Sequence, residues 1–212
     1  MTINGEPCPC PEQAGAAPTI LVVQINVDEC WAIDLHWSGA ARTPLGDLLN
    51  RAKTYRGGKP GEEDAAAELG HCLAWWARHL SHNVPVSQID RADVVCAVPA
   101  NPPKMPFNLP DRLASAVALA LEIPCDVGLL RKSRPTDEVK FTTEKERKLT
   151  EISGAYEVTT VVQDRTVVVV DDVVLSGATL ETIASVLRAA GARRVVALVA
   201  TRATKGLAAS RS

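Results

Sequence analysis

Two adjacent carboxylates, Asp171 and Asp172, end an unbroken apolar run, and small and hydroxylated residues follow them in the stretch RTVVVVDDVVLSGATL from Arg165 to Leu180. Ser176, Gly177 and Thr179 are the residue types that hold a phosphate dianion. Backbone N–H groups, small hydroxyls and the positive end of a helix converge at such a position. Gly177 lets the backbone approach closely. The two carboxylates repel a phosphate, but they accept hydrogen bonds from vicinal sugar hydroxyls or hold the waters of Mg²⁺. One segment therefore suits a phosphorylated sugar.

The flanking pattern says how these residues are positioned. Thr166 to Val170 are all β-branched, which predicts a strand buried on both faces in the centre of a parallel sheet. Val173 to Gly177 reads as a loop, and Leu180, Ile183, Ala184 and Leu187 mark one face of a helix. Gly191 suits the left-handed residue that ends it, and Val195 to Ala200 is the next strand. In such a βαβ unit the crossover is right-handed, so Asp171 to Thr179 lies at the mouth of the crevice where doubly wound sheets bind ligands. A second strand, Asp93 to Val98, runs into Pro99, Ala100, Asn101 and, further on, Lys104, a candidate second wall. Asn108 is a plausible N-cap for a helix from Leu109 with Leu113, Ala116, Val117 and Ala120 on one face, and Ile123 to Leu130 reads as another strand.

The amino-terminal half is expected to support this sheet. Ile20 to Val27 and Cys30 to Leu35 read as a hairpin turning at Asp28 and Glu29, a small β annex in which Trp31 and Trp37 pack. Pro44 to Ala52 is a short helix, and the basic, glycine-rich turn from Lys53 to Gly58 reads as a solvated loop. A long helix follows from Glu62 to Leu80, with Leu69, Leu73, Trp76 and Leu80 in one stripe. The expected fold class is α/β, a doubly wound, mostly parallel sheet. The division is a flexible tail over 1–18, one domain over 19–204 and a frayed tail over 205–212.

At 212 residues and 46% hydrophobic the chain can bury one good core. A net charge of −2 provides no electrostatic footprint for nucleic acid. The amino terminus has neither the basic residues nor the apolar core of a signal peptide, and no run approaches the ~20 apolar residues of a membrane span. A cytoplasmic protein without membrane contact is expected. Six cysteines without disulfide spacing read as core residues or free thiols. Cys8 and Cys10 form a single C-x-C with only Cys30 and His36 as distant further ligands, which does not make a zinc site. The charged segment from Arg131 to Glu151 mixes both signs and reads as a solvated loop of the kind that closes over a site.

The order apolar strand, paired acids, two apolar residues, Leu175, Ser176, Gly177, Ala178, Thr179 resembles the phosphoribosyl diphosphate (PRPP) motif of type I phosphoribosyltransferases. Leu175 stands where many members carry Thr or Ser. More narrowly, residues 43 to 202 resemble the ComF family of competence-associated phosphoribosyltransferase-like proteins. Lys53, Tyr55 and Gly57 are similar to its Lys-Tyr-x-Gly turn. Val98, Pro99, Phe107 and Asn108 are similar to its Val-Pro loop and Phe-Asn, and Arg131, Arg134, Thr136, Arg147, Gly154, Ala155 and Tyr156 to its Arg-rich stretch.

The resemblance implies displacement of diphosphate from C1 of a ribose by a nitrogen acceptor. Asp171 and Asp172 would take the 2′ and 3′ hydroxyls and the Mg²⁺ shell as the catalytic and metal-holding pair. Ser176, Gly177, Ala178 and Thr179 would hold the 5′-phosphate, with the amides around Leu175 carrying more of the grip. Pro99, Ala100 and Asn101 would offer amides to the diphosphate, and Lys104 would help neutralise it. The resemblance leaves three outcomes open: an active transferase, a PRPP or nucleotide sensor, and a DNA-processing accessory protein. A homodimer is compatible with each.

Overall fold

The computed structural model describes residues 21–54, 62–85, 87–100, 108–134 and 152–203, together with the backbone of residues 2–3 and 6–7. In chain order the elements are β1 (Thr2–Ile3), β2 (Glu6–Pro7), β3 (Leu21–Val22), β4 (Glu29–Leu35), β5 (Trp37–Ser38), β6 (Ala41–Arg42), α1 (Pro44–Thr54), α2 (Glu62–Asn83) and a 3₁₀ turn (Ile89–Arg91). There follow β7 (Val94–Ala97), α3 (Leu109–Leu121), β8 (Leu130–Lys132), β9 (Tyr156–Val158), β10 (Thr166–Val174), α4 (Ala178–Ala189) and β11 (Arg194–Arg202).

The main sheet has five strands in the order β3-β4-β11-β10-β7. All neighbours are parallel except β3, which runs antiparallel to β4. The valine run predicted to be central pairs on both sides, Val168 with Val196 and with Val95. Thr166 to Val170 is fully buried, as strands covered on both faces must be. The α/β, mostly parallel class expected from the sequence holds.

Period-two alternation sorts the sheet into two cores. Val168, Val170, Val196 and Leu198 face α1, α2 and α3, where Leu48, Leu69, Leu73, Trp76 and Leu113 pack. Val167, Val169, Val195 and Ala197 face α4 and the β8–β9 hairpin, meeting Ile183, Ala184, Leu187 and Tyr156. The predicted stripes of α2 and α4 are the buried faces. Gly191, at φ 93°, occupies the left-handed position just beyond α4, and β11 follows in parallel register with β10.

Several local expectations shift. An amino-terminal antiparallel pair forms, but only Leu21 and Val22 make its first strand and Glu29 belongs to the second instead of the turn; it joins the main sheet, because β4 lies parallel to β11 from Glu29 opposite Val196 to Leu35 opposite Arg202. Trp31 is buried in it, whereas Trp37 is 37% exposed with the Arg42 guanidinium 4.9 Å above its ring. Asn108 stands at the N-cap position, yet its amide donates to the Asp111 carboxylate at 2.9 Å instead of accepting from the helix backbone. On α3 the buried face is Leu113, Ala114, Val117 and Ala118, one step round from the predicted one. Of the strand expected over Ile123 to Leu130, Cys125 forms an isolated bridge to Val95 and Leu130 begins β8. Asp126 accepts from the Gly128 amide at 3.0 Å, an Asx turn that diverts the chain before β8.

Candidate functional site

The site is built where β10 ends. The strand was expected to stop before Asp171, but β11 is equally long and supplies partners as far as Val174 opposite Arg202. Asp171 and Asp172 therefore lie inside a strand at the carboxyl end of the sheet, and consecutive strand residues turn to opposite faces. Asp172 turns toward α1, where its Oδ2 meets Lys53 Nζ at 2.8 Å. Asp171 turns toward the α4 side, where burial first and then its charge raise the pKa of both Cys30 and Tyr156. Asp171 Oδ1 also accepts from the Asp172 amide at 2.8 Å.

This division gives the two acids different chemistry. Burial, and then the neighbouring charge of Asp172, push the Asp171 pKa well above the ordinary carboxylate value. Asp172 has the Lys53 ammonium as counter-ion. His36 stands close by on the same side: burial first, then the Lys53 and Arg42 charges, hold its pKa below the ordinary value. Its Nδ1 lies 3.2 Å from Thr201 Oγ1. The Lys53 turn was read as solvated, so Lys53 is the site residue whose placement sequence reasoning missed. The signal for it was its position in the Lys-Tyr-x-Gly-like turn.

The loop that follows has the geometry of an oxyanion cradle. Gly177 sits at φ 80° immediately before α4, a conformation glycine adopts without penalty, and a Cβ there would collide with the Ile25 side chain. Its carbonyl accepts the Glu181 amide at 2.9 Å, which starts the helix. The first-turn amides of Ala178 and Thr179 lie at the positive end of α4, and Ser176 Oγ accepts weakly from the Ala178 amide at 3.4 Å. Thr179 hydrogen-bonds Tyr156, whose pKa is raised to about 12 by burial and by Asp171. Leu175 is 47% exposed. Glu181, buried in α4, anchors the other wall by accepting the Asn26 amide at 2.8 Å.

Pro99 and Ala100 follow β7 after one residue, Val98, whose amide donates to the Val170 carbonyl at 2.9 Å on the carboxyl side of the sheet. Asn101, Lys104, Tyr55, Gly57, Phe107, Cys8, Cys10 and the charged segment beyond Arg134 lie outside the described residues. Among the described residues no group of three or more His, Cys, Asp or Glu is placed to hold a metal ion. No helix among them is long and apolar enough to cross a membrane.

A parallel α/β sheet with acids at the end of an inner strand and a glycine-led helix start beside them is the arrangement in which doubly wound sheets bind ligands. Residues 112–211 match the phosphoribosyl transferase domain family, a span that contains β10, the cradle and α4. No curated protein matches the sequence. Among solved structures, the chain is similar to the glutamine PRPP amidotransferase from B. subtilis, at 25% identity over 61% of this chain and 26% of that one, TM-score 0.40. It thus spans about a quarter of that protein's length. It is also similar to adenine phosphoribosyltransferase from Leishmania donovani, at 14% identity over 86% of each chain, TM-score 0.43. A third is purine phosphoribosyltransferase from Pyrococcus horikoshii, at 17% identity over 66% of this chain and 83% of that one, TM-score 0.40.

Proposed function

We propose that this crevice binds PRPP and that the protein transfers the phosphoribosyl group to a nitrogen acceptor. The observation that carries the reading is Gly177, at φ 80° before α4, directly after the Asp171–Asp172 strand and inside the span that matches the phosphoribosyl transferase domain. On this reading Ser176, Gly177, Ala178 and Thr179 hold the 5′-phosphate through amides and hydroxyls, and the Leu175 backbone contributes a donor that its side chain cannot. Asp171 and Asp172 take the ribose hydroxyls. Pro99, Ala100 and Asn101 would offer amides to the diphosphate, and Lys104 would help neutralise it.

The carboxylate oxygens are hard donors of the type Mg²⁺ accepts while keeping most of its own waters. Asp172, with Asp171 beside it, fits that role. Bound there, the ion supplies charge neutralisation to the leaving diphosphate. The chain's own residues do the remaining work. They hold the sugar in line for attack at C1 and keep positive potential near the phosphates, from Lys53 and the α4 amino terminus. The same reading assigns the protein to the ComF group and to the cytoplasm, and a homodimer is compatible with it.

A second reading, ligand binding without transfer, is favoured by Leu175, whose exposed apolar side chain stands where a hydroxyl would reach the phosphate. A DNA-processing role is the third, and the net charge of −2 lends it no support. The deciding experiment is calorimetric titration with PRPP, with and without MgCl₂, followed by diphosphate release against mixed nucleobases. Binding with release supports the transferase, and binding without release supports the sensor. No binding overturns both, and salt-dependent binding of single-stranded DNA then becomes the test of the third.

A further inference from the structure

A cleft of about 290 Å³ opens at the opposite edge of the sheet, lined by Asp28, Gln88, Arg91, Thr166, Arg193 and Arg194. Thr166 begins β10 and Arg194 begins β11, so the cleft lies at the amino ends of the strands. Five residues of strand separate Thr166 from Asp171, about 16 Å at ~3.3 Å per residue. No small ligand reaches both places.

The carboxylates around this cleft are already engaged. Asp28 Oδ2 accepts from the Val195 amide at 2.8 Å and from Arg188 at 3.1 Å. Glu29 accepts from the Gln88 amide at 3.1 Å and from the Trp31 indole at 3.0 Å. Asp93 accepts from the Thr166 amide at 2.7 Å.

The donors are not used up in the same way. Arg194 Nε is buried without a hydrogen-bond partner, its nearest carboxylate oxygen on Glu29 standing 3.7 Å away. Arg193 donates to the Thr166 hydroxyl at 3.1 Å and lies 3.7 Å from Asp93. The Arg91 guanidinium has five donors and pairs with no acceptor among the described residues, and Asp90 beside it is not part of the lining. Arg91 and Arg193 are exposed, but Arg194 Nε is buried, and buried polar atoms normally find partners, so an anion in the cleft would satisfy it and meet the Arg91 guanidinium as well.

We infer that this cleft is a second anion site, separate from the PRPP crevice, which binds a phosphate group carried by a small molecule. Three guanidiniums suit a tetrahedral oxyanion, because each presents paired N–H donors to two of its oxygens. The volume, at the lower end for ligand sites, admits inorganic phosphate or a small phosphate ester and excludes a dinucleotide. The site stands independently of the function proposed above.

The test is a titration of ¹⁵N-labelled full-length protein followed by amide and arginine Nε–H resonances, against sodium chloride at equal ionic strength. Inorganic phosphate is one arm and ribose 5-phosphate the other. Saturable shifts at Gln88, Thr166, Arg193 and Arg194 with either probe are expected, with phosphate alone marking a bare-ion site and the ester a substituted one. Arg91→Gln, at an exposed position, should weaken these shifts about tenfold while leaving those at Ser176 to Thr179 unchanged. Absence of saturable shifts at the cluster, or shifts of equal midpoint in Arg91→Gln, overturns the inference. Failure of the PRPP reading would instead silence Ser176 to Thr179.

Discussion

Lys53 Nζ lies 2.8 Å from Asp172 Oδ2, so the last turn of α1 is tied to the carboxyl end of β10. The pair is unequal in setting: the Asp172 side chain is 16% exposed and that of Lys53 40%. Lys53→Met leaves a largely buried carboxylate without its counter-ion. A loss of about 1 kcal/mol in urea denaturation is expected, above the ordinary surface pair and below a fully buried one. In a double-mutant cycle with Asp172→Asn, most of that loss should disappear. Additive effects would mean the ion pair contributes nothing.

The two neighbouring acids should respond in opposite directions to amidation. Asp172→Asn removes the Lys53 partner and destabilises by a similar amount. Asp171→Asn removes an acid that burial disfavours, and at pH 8 it should raise the Tm. A shift of about 2–4 °C accompanies each kcal/mol in a chain of this size. Thermal melts of both variants at one pH decide the matter, and a Tm that falls equally in both would show the acids to be equivalent.

Asp171 also sets a pH dependence. Its folded pKa, about 8, lies above the ordinary 3.8, so between those values the folded state holds a proton that the unfolded chain releases. Its contribution is therefore complete below about pH 4, declines as pH rises and is gone above pH 8. Wild-type stability should fall across that window from this group, and Asp171→Asn should flatten the slope. A slope unchanged in the variant would assign the titration to another group.

Gly177→Ala tests the cradle. At φ 80° an alanine is strained, and its Cβ meets Ile25, so a loss of about 1–3 kcal/mol is expected. Phosphate-dependent calorimetric binding at the crevice should vanish at temperatures where the variant is still folded by circular dichroism. Retained binding would remove this loop from the phosphate site.

Tyr156→Phe deletes the hydrogen bond that joins β9 to Thr179. A cost of about 1 kcal/mol is expected, together with faster amide exchange over Tyr156–Val158 and at Thr179. Exchange unchanged at Thr179 would show that the hairpin and the cradle are not coupled.

The βαβ unit was legible because its signals are local. Five β-branched residues, a helical stripe and Gly191 each act over a few neighbours, so Thr166 to Ala200 declares its own strand, helix and strand. The Asx turn at Asp126 and Gly128 was local too, but it competed with an apolar run that reads equally well as a strand, and the turn won because its hydrogen bond diverts the chain. Trp37 went to the surface because aromatic character alone does not say which side of a two-residue strand faces the core.

By itself, then, the sequence determined the parallel α/β class, the strand that carries the acids and the glycine that opens α4, since these follow from residue type and spacing. The tertiary structure decided how far β10 runs, because β11 must be long enough to pair it, and hence that Asp171 and Asp172 face different cores. It also decided that β4 completes the sheet, that Lys53 reaches Asp172, and that arginines from two separate segments meet in one cleft. Those relationships join residues far apart in the chain, and only the packing of helices on both faces of the sheet brings them within reach.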